Sequence, residues 1–545
     1  MVFHSSFAPI DIPTNGVAEL IFENRNNIPD NKPILLDAHS DRVITFGQFK
    51  QGVLKFAAGL QDHCDFQAGD VLAVFAPNTV DYPIALIGAV AAGGSTTPAN
   101  PAYTVKELAH QVGLSGAKVI ICSPENVKVA LEAGDQCGVA RKNIFVFGES
   151  VVDGVQPYTN VLMNGRQLRA PLPIANPVDQ ISYMCFSSGT TGLSKGVMST
   201  HTNITSNLLQ IDAVLGPHMN ANKDRVLGVL PFFHIFGLSV VIHMSLFWGV
   251  PLTVMTKFDL PLFCETIQKH KISFSCLVPP ILVLLAKHPL IDSYDMSSLR
   301  QIVSGAAPLS AELSTEVQSR LPHCKLIQGY GLTETSPVAT IGDFSNPIEG
   351  SSGVLVPNMS VKIVNEDGKE VGINERGELW CKGPNIMKGY IKNPEATAGC
   401  IDSEGYFHSG DVAVVDERGS YSIVDRIKEL IKYKGFQVPP AELESILLTS
   451  PIVADCAVIG VYDPAQATEL PRAYVVLQPS TKPSDAAAKE LMDFVADKVV
   501  QYKRLRGGVR FIDAVPKSAS GKLLRRVIKD WVKEEEKAAK IDAKL

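Results

Sequence analysis

The sequence predicts an α/β chain with a large N-terminal domain, residues 1–427, and a small α+β C-terminal domain, residues 428–545. Three changes of pattern predict this. Up to about residue 360, short β-rich runs alternate with helical patterns, which is the signature of βαβ units on largely parallel, buried sheets. From Ser360 the strands are joined by Asp-Gly and Glu-Arg-Gly turns, which predicts a small antiparallel, barrel-like part. After Asp425-Arg426 come strand patterns and one amphipathic helix, a compact α+β unit.

The elements follow in order. "VLAVFAP" precedes the helical "TVDYPIALIGAVAAGG". "AKVIICSP" leads through "ENVKVALEAG" to "KNIFVFGE". "RVLGVLPF" precedes an apolar helix and then "PLTVMT", and "RQIVSGAAPLS" runs into "AELSTEVQSRL". "VKIVNEDGKEVGINERGELWCKG" and "GDVAVVDERGSYSIVDR" are the hairpins. "ADCAVIGVY", "RAYVVLQP" and "AAKELMDFVADKVV" form the C-terminal unit. No internal repeat is present.

At 545 residues the chain is long enough for more than one domain. Apolar residues make up 46 % and charged residues 19 %, as in an ordinary globular enzyme. A net charge of −6 argues against general nucleic-acid binding, despite eight Lys/Arg against one Asp over residues 501–526. Ten cysteines are scattered without a C-x-x-C pair, so they read as reduced core thiols of an intracellular protein. The N-terminus lacks the pattern of a signal peptide. Residues 226–255 are apolar enough to suggest a bilayer span. Pro231, His234, Gly237, His243, Gly249 and Pro251 interrupt them, and a buried strand–helix–strand passage explains them better.

Five short stretches carry polar chemistry. "FSSGTTGLSKGV", residues 186–197, lacks the closing Gly-Lys-Ser/Thr of a Walker loop. It still offers Ser187, Ser188, Gly189, Thr190, Thr191 and Lys195, which suit either a surface turn or a polyphosphate cradle. "QGYGLTET" gives Gln328, Gly329, Tyr330, Thr333 and Glu334: a Gly-rich strand end, or an aromatic for a base with a carboxylate for Mg²⁺. "HSGD" ends in Asp411, either a turn aspartate or a partner for two ribose hydroxyls. Lys522 follows the Ser-Ala-Ser-Gly turn in a basic neighbourhood. His234 sits in "PFFHIFGL", where a satisfied core histidine is the ordinary case.

The order and spacing of "SSGTTGLSKG", "PFFHIFGL", "SGAAPLS", "QGYGLTET", "HSGD", "DRIKELIKYKGFQVPPAELE" and "SASGKLLRR" resemble those of the adenylate-forming enzymes. "KELIKYKGFQVPPAELE" is most similar to the 4-coumarate–CoA ligase and luciferase branch. The resemblance covers nearly the whole chain. It implies an AMP-forming acid–CoA ligase, which joins a carboxylate to the α-phosphate of ATP and then passes the acyl group to CoA. On this resemblance residues 187–195 grip the outgoing phosphates, and Glu334 holds Mg²⁺. Gln328, Gly329, Tyr330 and Thr333 line the adenine and α-phosphate, Asp411 with Arg426 takes the ribose, and Lys522 bridges carboxylate and α-phosphate. The small domain swings about a hinge at Lys428. Lys432 and Gln437 match residues near the acyl-adenylate, Lys434, Gly435 and Lys257 match CoA contacts, and His234 guards the acyl pocket.

The acyl pocket is expected around His234, Phe236, Val303 and Ala307. Plant 4-coumarate–CoA ligases carry "FHIY" and often a lysine where this chain has Phe236 and Val303. Neither residue hydrogen-bonds a phenol, so the expected acid is apolar, a fatty acid or an unsubstituted aryl acid. A luciferase-like monooxygenase and a stand-alone enzyme loading a carrier protein are the alternatives. Ala543-Lys544-Leu545 resembles the S-K-L peroxisomal address, so the peroxisomal import receptor is an expected partner and the peroxisome the expected site, with the cytoplasm otherwise.

Overall fold

A computed structural model describes residues 1–187, 194–464, 466–518 and 521–542, with side chains to residue 535 in the last segment. Two sheets dominate the large N-terminal part. A seven-stranded sheet runs Gly389–Tyr390, Lys195–Thr200, Ile181–Ser187, Ser95–Ala99, Val71–Phe75, Ala117–Cys122, Ile144–Val146. Its central pairs are parallel. All five residues of Val71–Phe75 are buried because helices cover both faces, which is why "VLAVF" is an unbroken apolar run.

A nine-stranded sheet runs from Val354–Leu355 at one edge to Val43–Thr45 at the other. Its centre holds the parallel strands Lys325–Gly331, Gln301–Ser304, Phe274–Leu277 and Val226–Gly228. A third, five-stranded antiparallel sheet pairs Val2–His4, Ser360–Val364, Gly377–Lys382, Phe407–Val415 and Tyr421–Arg426 in that order. Its outermost pair sets Asp411 opposite Arg426.

Beyond the exposed Ile427 and Lys428 the chain has separate cores. The antiparallel strands Val453–Asp463 and Thr468–Leu477, with Val509–Phe511 beside them, pack on helices Pro440–Leu448 and Asp485–Ala496. A hairpin of Ile431–Tyr433 and Phe436–Val438 precedes them. Its two-residue loop, Lys434-Gly435, takes positive φ at both positions (47° and 84°), the geometry that matches strand twist in tight hairpins.

The apolar 226–255 stretch is a strand, an eight-residue π-helix Phe236–His243, a short α-helix and a second strand, all inside the large core. No helix among the described residues is long and apolar enough to cross a membrane. The wider π-turn begins two residues after His234, in keeping with the tendency of such segments to mark functional positions. Gly237 is required there, because a Cβ would stand 2.2 Å from the Pro231 carbonyl oxygen. All ten cysteines are free, and eight are buried, so the expected reduced core thiols are found.

Candidate active site between the two units

The C-terminal ends of the central parallel strands open onto one cavity of about 380 Å³. Ligands in open α/β sheets bind outside the carboxyl ends of strands, because loops there present both backbone and side chains. Gln328, Gly329, Tyr330, Ala307, Asp411, Arg426 and Lys522 all line it. Its walls come from both sides of Lys428, so the site is completed at the seam between the two units.

The floor is a charge pair prepared by strand register. Asp411 is 4 % exposed, and its carboxylate accepts a hydrogen bond from the Tyr330 hydroxyl at 2.7 Å and faces Arg426 Nε at 3.3 Å. Burial pushes this carboxyl above its usual range, against the opposing pull of Arg426, Tyr330 and Lys522. Glu378 supports the preceding turn by accepting the Gly410 N–H at 2.9 Å. Tyr330, expected as a stacking residue, therefore spends its hydroxyl on orienting Asp411. Gly331 beside it is obligatory, since a Cβ would lie 1.9 Å from the Pro337 carbonyl oxygen.

Lys522 reaches the same floor from the C-terminal unit. The Ser518 hydroxyl accepts its backbone N–H at 3.1 Å, and the Ser518 N–H donates to its carbonyl at 2.8 Å, closing the turn. Burial and the Arg426 charge lower its pKa, and Glu334 and Asp411 act in the opposite sense. One guanidinium and two carboxylates thus act on this ammonium through their charges.

Glu334 stands one step away. It is nearly buried, in the turn Thr333–Thr335, and its Oε1 accepts from the Tyr390 hydroxyl at 2.8 Å. The Lys195 ammonium lies 4.7 Å from the centroid of the Tyr390 ring. Tyr390 thereby ties the end of the loop stretch to the candidate metal-holding carboxylate. Ser187 and Lys195 face each other across an antiparallel pair, and the Ser194 carbonyl oxygen is 3.1 Å from His110 Nε2. Ser188, Gly189, Thr190 and Thr191 lie outside the described residues. Among the described residues no three His, Cys, Asp or Glu side chains converge as a metal cage. A lone carboxylate beside a candidate phosphate-binding stretch would suit Mg²⁺, which needs few protein ligands when it arrives on phosphates.

His234 and Phe236 border a second, much smaller void of about 10 Å³, shared with Leu230, Pro231, Val278 and Ala306. Burial, with the Lys522 charge second, pushes the His234 imidazole down to about 3. Its Nδ1 accepts the Phe236 N–H at 3.3 Å, so the neutral ring carries its proton on Nε2. Ala306 has φ of 69°, a strained non-glycine backbone of the kind found at functional sites. Val303 borders neither cavity. It is buried mid-strand between Cys276 and Ile327, and the pocket wall is formed by Ala306 and Ala307, three and four residues on.

Lys257, Lys432, Lys434, Gly435 and Gln437 are exposed and line neither cavity. Lys432 and Gln437 are cross-strand partners on the hairpin whose tip is Lys434-Gly435. Sequence reasoning missed Tyr390, Asp425, Glu429 and Glu444 around the site. Only tertiary packing brings them in; "MKGY" and "PAELE" carry no chemical signal of their own.

Fold and site define a two-unit enzyme whose polar centre lies at the seam between the units. The chain belongs to the AMP-binding enzyme family: the family model "AMP-binding enzyme" matches residues 22–391, and "AMP-binding enzyme C-terminal domain" matches residues 442–522. A probable 4-coumarate–CoA ligase 1 from Dictyostelium discoideum is 38 % identical over 550 residues, 97 % of each chain. The 4-coumarate–CoA ligase 1 of Petroselinum crispum is 39 % identical over 541 residues, 96 % of each chain. Among solved structures, ATP-bound MatB from Rhodopseudomonas palustris superposes with a TM-score of 0.84 at 26 % identity, covering 94 % of this chain and 98 % of that one. Apo MatB, with the same coverage, gives 0.75, so this chain's arrangement is nearer the ATP-bound form.

Proposed function

We infer that the chain is an AMP-forming acid–CoA ligase, and that the acid is apolar. The observation that carries the inference is the convergence of Asp411, Arg426, Tyr330 and Lys522 on one cavity from opposite sides of the seam. An acid carboxylate, ATP and the adenylate are all anions, and this cavity concentrates compensating charge where the α-phosphate would lie.

In the first half-reaction the carboxylate oxygen attacks the α-phosphorus, the bond from that phosphorus to the bridging oxygen breaks, and pyrophosphate leaves. Asp411, already oriented by Tyr330 and Arg426, accepts the ribose hydroxyls. Lys522 screens the approach of two negative groups. Lys195 and the residues beside it hold the departing phosphates. Glu334 would hold Mg²⁺, whose charge eases the departure of pyrophosphate. In the second half-reaction the CoA thiol attacks the acyl carbonyl, its proton passes to solvent, and AMP leaves. Lys257, Lys432, Lys434, Gly435 and Gln437 take part only after the C-terminal domain, residues 428–545, rotates about Lys428, which is consistent with their exposure here.

His234 and Phe236 form the entrance to the acyl pocket. The ring of Phe236 lies against Gly305, where a Cβ would be 3.1 Å from it. The wall offers hydrocarbon and one imidazole N–H, which favours fatty or unsubstituted aryl acids over phenolic ones. A pyrophosphate-release screen of cinnamate, phenylacetate, decanoate, palmitate and 4-coumarate, with ATP, Mg²⁺ and CoA, tests this. Turnover of hydroxylated cinnamates alone would refute the apolar assignment. Phe236→Ala is expected to shift preference toward longer acids by about tenfold per pair compared. Ala543-Lys544-Leu545, outside the described residues, is proposed as a peroxisomal address read by the import receptor. A fluorescent fusion lacking these three residues should be cytosolic; unchanged puncta would count against it.

A further inference from the structure

The helix Pro440–Leu448 of the C-terminal unit lacks a side-chain cap at its N-terminal end, and at its C-terminal end the Thr449 hydroxyl reaches only the Ile446 carbonyl. Pro439 precedes it without a capping side chain, and Pro440 opens it, so the first N–H it can present is that of Ala441. Its last turn has no basic residue, and its one early acid, Glu442, is paired with Lys503.

Each end takes a further partner from the large N-terminal part. Asp425 Oδ2 accepts the Ala441 N–H at 2.9 Å, while Oδ1 accepts the Arg426 N–H at 2.7 Å. At the other end the Lys287 ammonium donates to the Leu448 carbonyl at 2.7 Å. The signs match the helix dipole, with a carboxylate at the positive end and an ammonium at the negative end. Thr449 and Ser450 N–H groups take the Ile446 and Leu447 carbonyls, so Lys287 supplies the partner that the helix's own exit turn leaves out.

Lys287 is the last residue of helix Pro279–Lys287, and the two helices oppose matching stripes. Pro280, Val283 and Leu284 face the cavity from one, Ala441, Glu444, Ser445 and Leu448 from the other. At its N-terminal end the same helix meets the catalytic turn. A Cβ on Gly521 would lie 3.2 Å from the side chain of Val278, the residue that caps the helix. One rigid element therefore touches the Lys522 turn at one end and the Leu448 carbonyl at the other.

The geometry points to Asp425 and Lys287 as positioning residues that clamp helix Pro440–Leu448 and so register Lys522 for the first half-reaction. This rests on the two-step ligase reading. Lys287 lies outside the cavity, and Asp425 borders it with both carboxylate oxygens already engaged by backbone N–H groups. Because the clamp must be released before the C-terminal unit can rotate, its loss should affect the two half-reactions unequally.

Lys287→Ala is the test. Adenylation is followed by ATP–pyrophosphate exchange with cinnamate and with decanoate, and thioester formation by AMP release from synthetic cinnamoyl- and decanoyl-adenylate with CoA. The expected result is a loss of about tenfold in the exchange kcat, with the KM for ATP unchanged and AMP release equal to or faster than wild type. Lys287→Arg should restore exchange, and Lys287→Glu should be worse than alanine. Amide exchange of residues 441–450, followed by mass spectrometry, should quicken in Lys287→Ala and return in Lys287→Arg. Equal loss in both half-reactions, or no change in either, overturns the clamp, as does unaltered amide exchange. If wild-type enzyme fails to exchange pyrophosphate with any acid tried, the ligase reading falls, and the amide-exchange result alone then decides the clamp.

Discussion

Asp411 and Arg426 are packed against each other at the floor of a cavity, whereas Lys432, Lys434 and Gln437 stand on a hairpin exposed to solvent. Both sets are polar, and fewer than thirty residues separate them along the chain. The first set already has its hydrogen-bond partners, and its carboxylate is buried by the fold. The second has exposed side chains and a tight positive-φ turn that makes the hairpin rigid without assigning it a ligand. On the proposed function, the contrast means that this arrangement assembles one reaction surface and holds the other in reserve. Preorganisation is greatest where charge must be compensated without reorganisation.

The largest expected effect comes from removing the residue that completes the assembled surface. Lys522→Ala should slow adenylation about 10²- to 10³-fold while leaving ATP affinity within a few-fold. Thioester formation from synthetic acyl-adenylate should be nearly untouched, and a matching loss in that step would erase the distinction between the surfaces. Next comes Asp411→Asn, which leaves the Arg426 guanidinium and the Tyr330 hydroxyl facing a neutral amide. The KM for ATP should rise about 10- to 100-fold, measured at saturating acid. An unchanged KM would remove Asp411 from the nucleotide site.

On the reserved surface the effect should be smaller and confined to the other step. Lys434→Ala should raise the KM for CoA about five- to tenfold without altering pyrophosphate exchange. Loss of exchange instead would mean that the hairpin acts in the first step. The smallest expected effect is an absence of change. His234 stays neutral down to about pH 3, so His234→Leu should lower activity without moving either limb of the pH–rate profile between pH 5.5 and 9. The same residue leaves a mark on stability. Below about pH 6.5 the unfolded chain protonates this imidazole while the folded chain does not, which withdraws up to about 1.4 kcal/mol per pH unit. His234→Leu should therefore flatten the acid side of the Tm profile between pH 6.5 and 4.

Much of this was legible in the amino-acid sequence. "VLAVF" and "KVIIC" read as parallel strands because they are short, apolar and rich in β-branched residues, as strands buried on both faces are. Tyr330, Asp411 and Arg426 were found through the order of their motifs, and the structure brings them together. What sequence spacing does not carry is side-chain direction. Val303 lies beside the right motif, yet its strand turns it into the core, and Ala306 and Ala307 form the wall. Tyr390 sits nearly two hundred residues after Lys195 and joins it to Glu334 only because Gly389–Tyr390 is the edge strand beside Lys195–Thr200. Charged residues such as Lys287 look like ordinary surface lysines until the helix they serve is in place.

The edge strand Gly389–Tyr390 also sets a timetable for the ribosome. The Lys195–Thr200 strand leaves the exit tunnel long before the segment that covers its flank, and Val2–His4 waits still longer for Ser360–Val364. At roughly 5–20 residues per second, the Lys195–Thr200 strand spends about ten to forty seconds without that partner. During that interval unsatisfied backbone is open to chaperones and to neighbouring nascent chains on the same message. Synonymous codons that hasten translation between residues 200 and 390 would shorten that exposure without altering a single atom of the finished enzyme.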